Sequence, residues 1–186
     1  MEMPWEEKAG TILWSYYAGM ESGTALAGIL TGRINPSGKL AETFPRVYED
    51  TPTGHNGQFG RDDMVCYEEE IMVGYRHYEK NDILPMFCFG HGLSYTEFAY
   101  HDLQVKQDND AKDRVSISFD IENVGKIDGR EIVQIYVRDE ECTVIRPEKE
   151  LKAFKSITLK AGSICRVEIT LDSICLLYTS PSPRDR

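Results

Sequence analysis

Leu84–Thr96, LPMFCFGHGLSYT, is the stretch whose reading decides the fold. Its thirteen residues hold three aromatics, two glycines, a proline and a histidine, too irregular for a helix and too glycine-rich for an ordinary strand. Before it the chain mixes helical, extended and loop patterns. After it every segment reads as strand. The stretch is therefore read as a joint between two domains.

On its C-terminal side the candidate strands are Ala99–Lys106, Arg114–Glu122, Glu131–Arg138, Leu151–Leu159 and Ser163–Leu171. The second is the clearest, with Val115, Ile117, Phe119 and Ile121 on one face and Ser116, Ser118 and Asp120 on the other. Turn signals separate the strands at Asp108-Asn109-Asp110, Gly125–Gly129 and Ala161-Gly162. Short strands at this spacing predict an antiparallel sandwich of immunoglobulin or fibronectin type III kind. A whole sandwich has about seven strands, so five predict a truncated one with an exposed edge and a tendency to aggregate.

On its N-terminal side Thr11–Trp14 (TILW) predicts a short strand, and residues 21–32 (ESGTALAGILTG) a helix with Leu26, Ile29 and Leu30 at helical spacing. Glu21 suits the positive end of that helix and Gly32 a left-handed cap. Asn35-Pro36-Ser37-Gly38 is a turn, and Lys39–Phe44 predicts a second strand. Arg46–Cys66 is polar and loop-like, while Ile71, Val73 and Tyr75 alternate toward one face. Strand, loop and helix in this order predict part of an α/β unit. The fold class is thus α+β overall, a partial α/β domain over 1–83, the joint over 84–96 and an incomplete β-sandwich over 97–175. The last residues, Leu176–Arg186 (LLYTSPSPRDR), have no core face and resemble translated vector read-through; they are read as a non-native tail.

Composition narrows the partners. With 41% hydrophobic and 28% charged residues the 186-residue chain is of globular type. Its net charge of −10 repels nucleic acid and anionic membranes, and both partner classes are set aside. No run approaches the roughly 20 apolar residues of a membrane span, and MEMPWEEKAG lacks the apolar core of a signal peptide. The five cysteines, Cys66, Cys88, Cys142, Cys165 and Cys175, form no C-x-x-C pair, so no zinc site is expected. They read as free thiols of a reducing compartment, the cytoplasm.

Five stretches, in order, now carry a resemblance: MPW at 3–5, GMESGTALAGILTGRINPSGKLAETFP at 19–45, YEEEIMVGYRHYE at 67–79, LPMFCFGHGLSYTEFAY at 84–100, and ENVGKIDGREIVQIYV with RPEKELKAF at 122–137 and 146–154. Together they resemble the C-terminal part of glycoside hydrolase family 3 β-glucosidases. Cys88 stands where the family word FPFGHGLSYT has proline, and GMESG at 19–23 replaces GQEGG. The resemblance implies a preceding (β/α)₈ barrel, then an α/β sandwich domain, then a fibronectin type III-like domain. It also implies a retaining mechanism, which needs two carboxyl groups about 5–5.5 Å apart. The family's nucleophile belongs to the barrel and its acid/base to the α/β domain upstream of residue 19, so this chain is expected to carry neither catalytic residue. No cofactor is implied. The expected partners are a β-glucoside and the missing barrel domain.

Local carboxylates are the possible substitutes. Glu68, Glu69 and Glu70 read as a solvated face, and Asp62-Asp63 as a solvated loop. Glu21, following a loop at the end of a candidate strand, is either a helix cap with Ser22 or a sugar-site carboxylate, with Tyr16 and Tyr17 as stacking surfaces. Glu21 and Tyr16 are the substrate-binding candidates. His55, His77, His91 and His101 have no ligand spacing, and His91 between two glycines reads as structural. Arg76 is expected to pair with a carboxylate, Glu69 or Glu79 being near in sequence. Phe87, Phe89, His91, Tyr95 and Arg76 are expected to serve the joint between the domains. Residues 54–60 lack a P-loop lysine, and no G-x-S-x-G or H-E-x-x-H occurs. Two functions remain: the C-terminal part of a retaining β-glucosidase-like hydrolase, or a non-catalytic β-sandwich module for binding or scaffolding.

Overall fold

The computed structural model describes residues 2–57, 60, 66–107, 114–140 and 145–172. The tail at 176–186, Asp62-Asp63, the turn Asp108–Asp110, Cys142 and Cys175 lie outside the described residues. The chain forms two units. The first comprises Met1–Ile34, Gly38–Leu93 and Arg138–Glu150; the second comprises Asn35–Ser37, Ser94–Val137 and Leu151–Arg186. Two segments thus join a unit other than that of their chain neighbours: the Asn35–Ser37 turn and the Arg138–Glu150 connection. Among the described residues no helix is long and apolar enough to cross a membrane.

The second unit holds the β-structure, with five strands: β1 (Phe98–Gln107), β2 (Arg114–Asn123), β3 (Gly129–Val137), β4 (Glu150–Leu159) and β5 (Ile164–Asp172). Each overlaps the strand predicted from alternation to within two residues. β1, β2 and β5 form an antiparallel sheet in that order, and β3 and β4 form a second sheet. Ile117, Phe119 and Ile121 on β2 point into a core shared with Val133, Leu159, Val167 and Leu171. Phe119 pairs in register with Val167, and Ile117 with Ile169. A β-bulge interrupts β1 between His101 and Gln104, where Asp102 takes a left-handed φ of 50°.

One polar side chain is enclosed with this core. Asn123, at the end of β2, is 0% exposed. Its Oδ1 accepts from Thr96 Oγ1 at 2.6 Å and from the Gly125 N–H at 3.1 Å. Its Nδ2 donates to the carbonyls of Ile127 at 2.8 Å and Leu159 at 3.3 Å. A backbone N–H can only donate and a carbonyl can only accept, so these partners fix the orientation of the amide. The Asn123 backbone is paired too: its N–H donates to Ser163 O at 3.0 Å, and its carbonyl accepts from Gly162 N at 2.9 Å. The Asn35–Ser37 turn is held nearby. Asn35 Oδ1 accepts from Ser94 Oγ at 2.9 Å and Tyr95 N at 2.8 Å, its Nδ2 donates to Asp128 O at 3.1 Å, and Arg130 Nε donates to Ser37 Oγ at 2.9 Å.

The first unit is less regular. Helix α1 (Ser22–Leu30) forms where predicted, and Gly32 adopts the φ of 73° that its cap requires. The two predicted strands before and after it do not form. Thr11–Trp14 has no ladder partner among the described residues, and Lys39–Phe44 makes only an isolated bridge, Phe44 with Phe87. The reason is the opening stretch itself. Residues 86–91 run against 40–44 through Phe44 N to Phe87 O (2.8 Å), Met86 N to Phe44 O (2.9 Å), Leu40 N to His91 O (2.8 Å) and Gly90 N to Leu40 O (2.8 Å). Gly90, with φ 78°, bends the stretch so that the bonds come in two pairs rather than a ladder. Gly92 lies so close to the Gly38 carbonyl that a Cβ there would fall 2.1 Å from that oxygen.

A third correction concerns residues 71–75. Met72 is buried at 4% exposure, whereas Ile71 and Val73 are 48% and 46% exposed, the opposite of the predicted face. Gly74, at φ 56°, ends the extended segment, and Tyr75 opens helix α3 (Tyr75–Lys80) instead of completing a strand. A further short helix, α2 (Pro52–Asn56), forms within the segment read as loop.

The Asn123 network predicts a specific cost. Asn123→Ala strands a hydroxyl, an N–H and two carbonyls in the interior and is expected to cost about 3 kcal/mol, whereas Ser116→Ala on the outer face of β2 should change stability by less than about 0.5 kcal/mol. Urea unfolding followed by circular dichroism checks both.

Candidate functional site

The sequence nominates the loop ahead of α1. Trp14 lies edge-on to Phe44 (5.3 Å between centroids) and to Tyr16 (5.6 Å). Tyr16 takes a φ of 47°, a left-handed conformation that is costly for a bulky residue. Its hydroxyl accepts from the Ala41 N–H at 3.2 Å. Tyr16 is therefore fixed at both ends while its ring remains half-exposed. The next residues are not covered at all: Tyr17 is 104% and Met20 102% exposed.

Glu21 occupies the N-cap position of α1, but its side chain makes no capping hydrogen bond. Its backbone carbonyl accepts from Ala25 N at 2.9 Å, which starts the helix. The capping interaction expected with Ser22 is thus absent, and the carboxylate stands exposed at the positive end of the helix. The structure places Tyr16, Tyr17 and Glu21 on one exposed loop-and-cap segment.

Residues 46–57 of the second loop are better organised than their composition suggests. Asp50 Oδ2 accepts from the N–H groups of Arg46 and Val47, both at 3.2 Å. Thr51 caps α2 by accepting from Gly54 N at 3.1 Å, Pro52 follows in the first turn, and Gly57 closes it in a left-handed conformation. Thr at the cap, Pro in the first turn and Gly after the helix are the signals available in the sequence. This turn buries a histidine that spacing alone did not single out. His77 on α3 is 3% exposed. Asn81 Nδ2 lies 3.1 Å from His77 Nδ1 and, as a donor, makes that nitrogen the acceptor. Nε2 then carries the proton and donates to Asp50 O at 3.2 Å. His55 of α2 meets the ring edge-on at 5.4 Å. Burial holds the His77 pKa below its ordinary value, helped by the nearby His55 and Lys80 and opposed by the Asp50 hydrogen bond.

The joint residues fall as follows. Phe87 contacts Phe44 (6.4 Å) and stacks on His91 (5.4 Å), and Phe89 stacks on Tyr75 (5.1 Å), all within the first unit. Tyr95 lies in the second unit, with its N–H on Asn35. Arg76 pairs with neither Glu69 nor Glu79 but with Glu150, at 2.6 Å. The expectation rested on nearness in sequence, and the returning Arg138–Glu150 connection overrides it. Among the described residues no cluster of His, Cys, Asp or Glu is arranged to hold a metal ion.

With this geometry in hand, comparisons with known proteins bear on the whole chain. Residues 1–95 match the glycosyl hydrolase family 3 C-terminal domain, and residues 131–182 match a fibronectin type III-like domain. The chain is 46% identical over 186 residues to thermostable beta-glucosidase B of Acetivibrio thermocellus, covering 100% of this chain and 24% of that protein. It is 37% identical to beta-glucosidase BoGH3A of Bacteroides ovatus, covering 99% of this chain and 25% of that one. Among solved structures it resembles beta-glucosidase 3B from Thermotoga neapolitana in complex with glucose, with a TM-score of 0.79 and 40% identity over 87% of this chain and 22% of that chain. It also resembles the Kluyveromyces marxianus beta-glucosidase in complex with glucose, with a TM-score of 0.83 and 39% identity over 92% of this chain and 20% of that chain. The chain thus spans about a quarter or less of the length of these relatives.

The buried histidine yields a pH prediction. Its folded pKa lies below the unfolded value, so the unfolded chain takes up the proton first as pH falls. The full contribution of neutral His77 is present above the ordinary histidine value of about 6.5 and is lost as pH drops below it toward the lowered folded value. Urea midpoints measured from pH 8 to pH 5 should fall over the lower part of that range, and His77→Gln should flatten the slope even where it lowers the midpoint at pH 8.

Proposed function

The chain belongs to glycoside hydrolase family 3, and from that premise we propose that it supplies the C-terminal share of a retaining β-glucosidase-like hydrolase. In this reading the nucleophile and the acid/base are carried by sequence outside these residues, and the chain alone cleaves nothing. Its share is to complete the α/β domain, to border the sugar site with loops 15–22 and 46–66, and to carry the β-sandwich. Its partners are a β-glucoside and the barrel domain that bears the nucleophile. The segment 84–96 is the passage from one unit to the next, and its aromatics, with His91 and Arg76, are structural rather than catalytic.

The observation that carries the reading is the loop ahead of α1. Tyr16 is held in a left-handed conformation by its Ala41 bond and by Trp14, next to an uncovered Tyr17 and the exposed Glu21 carboxylate. Backbone strain of this kind accompanies functional loops. Aromatic faces stack on sugar rings, and an ionised carboxylate accepts hydrogen bonds from sugar hydroxyls. Glu21 and Tyr16 are accordingly assigned to substrate binding. A reducing compartment, the cytoplasm, is supported by Cys66, Cys88 and Cys165, which are free and exposed.

The test joins this chain to the N-terminal part of thermostable beta-glucosidase B, replacing the segment it matches. The purified chain alone should not hydrolyse an aryl β-glucoside above buffer, and the chimera should. Glu21→Gln in the chimera should lower kcat/KM by roughly tenfold, the loss of one hydrogen bond to a charged group. Turnover by the chain alone that disappears in Glu21→Gln would contradict the assignment of the catalytic pair to other sequence.

A further inference from the structure

The Arg138–Glu150 connection returns to the first unit from β3 and leaves it into β4. Its end meets α3 through two ion pairs. Arg76 Nη2 lies 2.6 Å from Glu150 Oε1, and Lys149 Nζ lies 2.7 Å from Glu79 Oε1. Arg76 and Glu79 are three residues apart on the helix and so share a face. The charges are crossed: the helix presents plus then minus, and the connection answers with minus and plus. Exchanging the partners would set Lys149 against Arg76 and Glu150 against Glu79.

Both ends of this contact are anchored. Arg76 Nη1 donates to Ile71 O at 3.4 Å, and its guanidinium lies 5.9 Å from the Tyr75 ring centre, which in turn stacks on Phe89. The connection is braced by Arg138 to Glu148 at 2.6 Å and Arg146 to Asp139 at 3.8 Å. Glu150 is buried, and the second oxygen of Glu79 is buried with no hydrogen-bond partner. Removing Lys149 would therefore leave a desolvated carboxylate without its counter-charge, which costs more than an exposed pair returns.

We propose that these crossed pairs are a salt-sensitive latch that seats the 138–150 connection on α3 in a single register. Salt screens a partly exposed pair once the Debye length falls to the spacing of the charges. The latch therefore loosens with ionic strength while the apolar contacts of the same unit do not.

Hydrogen exchange of the whole chain, read on peptides spanning 145–150, tests this at about 0.05 M and about 1 M salt, where the Debye length falls from above 10 Å to about 3 Å, close to the spacing of the paired charges. Exchange should quicken with salt in these peptides and not in those from β2. Arg76→Glu and Glu150→Arg should each quicken it by roughly fivefold at low salt, and the double reversal should return it toward the parent rate. A double reversal no slower than either single one would overturn the proposal, as would exchange in the parent that ignores salt. If a reversed variant does not fold, Glu79→Gln with Lys149→Gln supplies the same test: the salt dependence should fall in this pair, and its persistence would overturn the latch.

Discussion

Asn123 satisfies six hydrogen-bonding demands from a position with no solvent access, four through its amide and two through its backbone. The β-unit depends on this accounting. The partners come from the entry to β1 (Thr96), the turn after β2 (Gly125, Ile127), the end of β4 (Leu159) and the turn into β5 (Gly162, Ser163). A buried polar group without partners costs about 1–3 kcal/mol, so the amide is tolerable only when all of these segments arrive together. The apolar core supplies the bulk of the driving force, since burying a side chain such as Phe119 contributes about 1.5–3 kcal/mol. It does not by itself specify which loop lies where. The amide does.

Asn35 repeats the device one step outward. Its side chain bonds Ser94, Tyr95 and Asp128, and Asp128 Oδ1 in turn accepts from Ala161 N at 2.9 Å. A three-residue turn is thereby drawn out of its own sequence neighbourhood and into the β-unit. The words NPSG, GLSYT and ENVGKIDG lie far apart in the chain, and each contributes polar atoms to this one network.

The β-unit was legible because period-two alternation needs no partner to be visible: Val115, Ile117, Phe119 and Ile121 announce their face wherever β2 pairs. The first unit was not, because its contacts are non-local and its segments are short. Lys39–Phe44 alternates like a strand, but its partner is the glycine-bent stretch at 86–91, and only a bridge forms. The face of 71–75 inverted because Gly74 leaves the extended region and Tyr75 begins a helix. α2 is signalled by Thr51-Pro52 and Gly57, but its polar composition gives it no apolar period and masks it as loop. For the candidate site, the residue types at 16–21 were legible. The left-handed backbone of Tyr16 and the absence of a Glu21 capping bond were not, since both depend on where Ala41 and Trp14 come to lie. The partner of Arg76 was hidden for the same reason, being seventy-four positions away at Glu150.

These features divide the labour of the chain: a polar network that specifies the β-unit, and an aromatic loop with an exposed carboxylate that carries the proposed sugar contacts. The division rests on Asn123 acting as the point through which its segments are ordered together. Native-state hydrogen exchange by NMR tests that most directly. The amides of Asn123, Gly125 and Gly162 should open only with the same free energy and urea dependence as the β2 core amides, because none can be released without releasing the others. Opening of Gly125 and Gly162 by separate, low-energy fluctuations while the Phe119 amide stays protected would contradict the account.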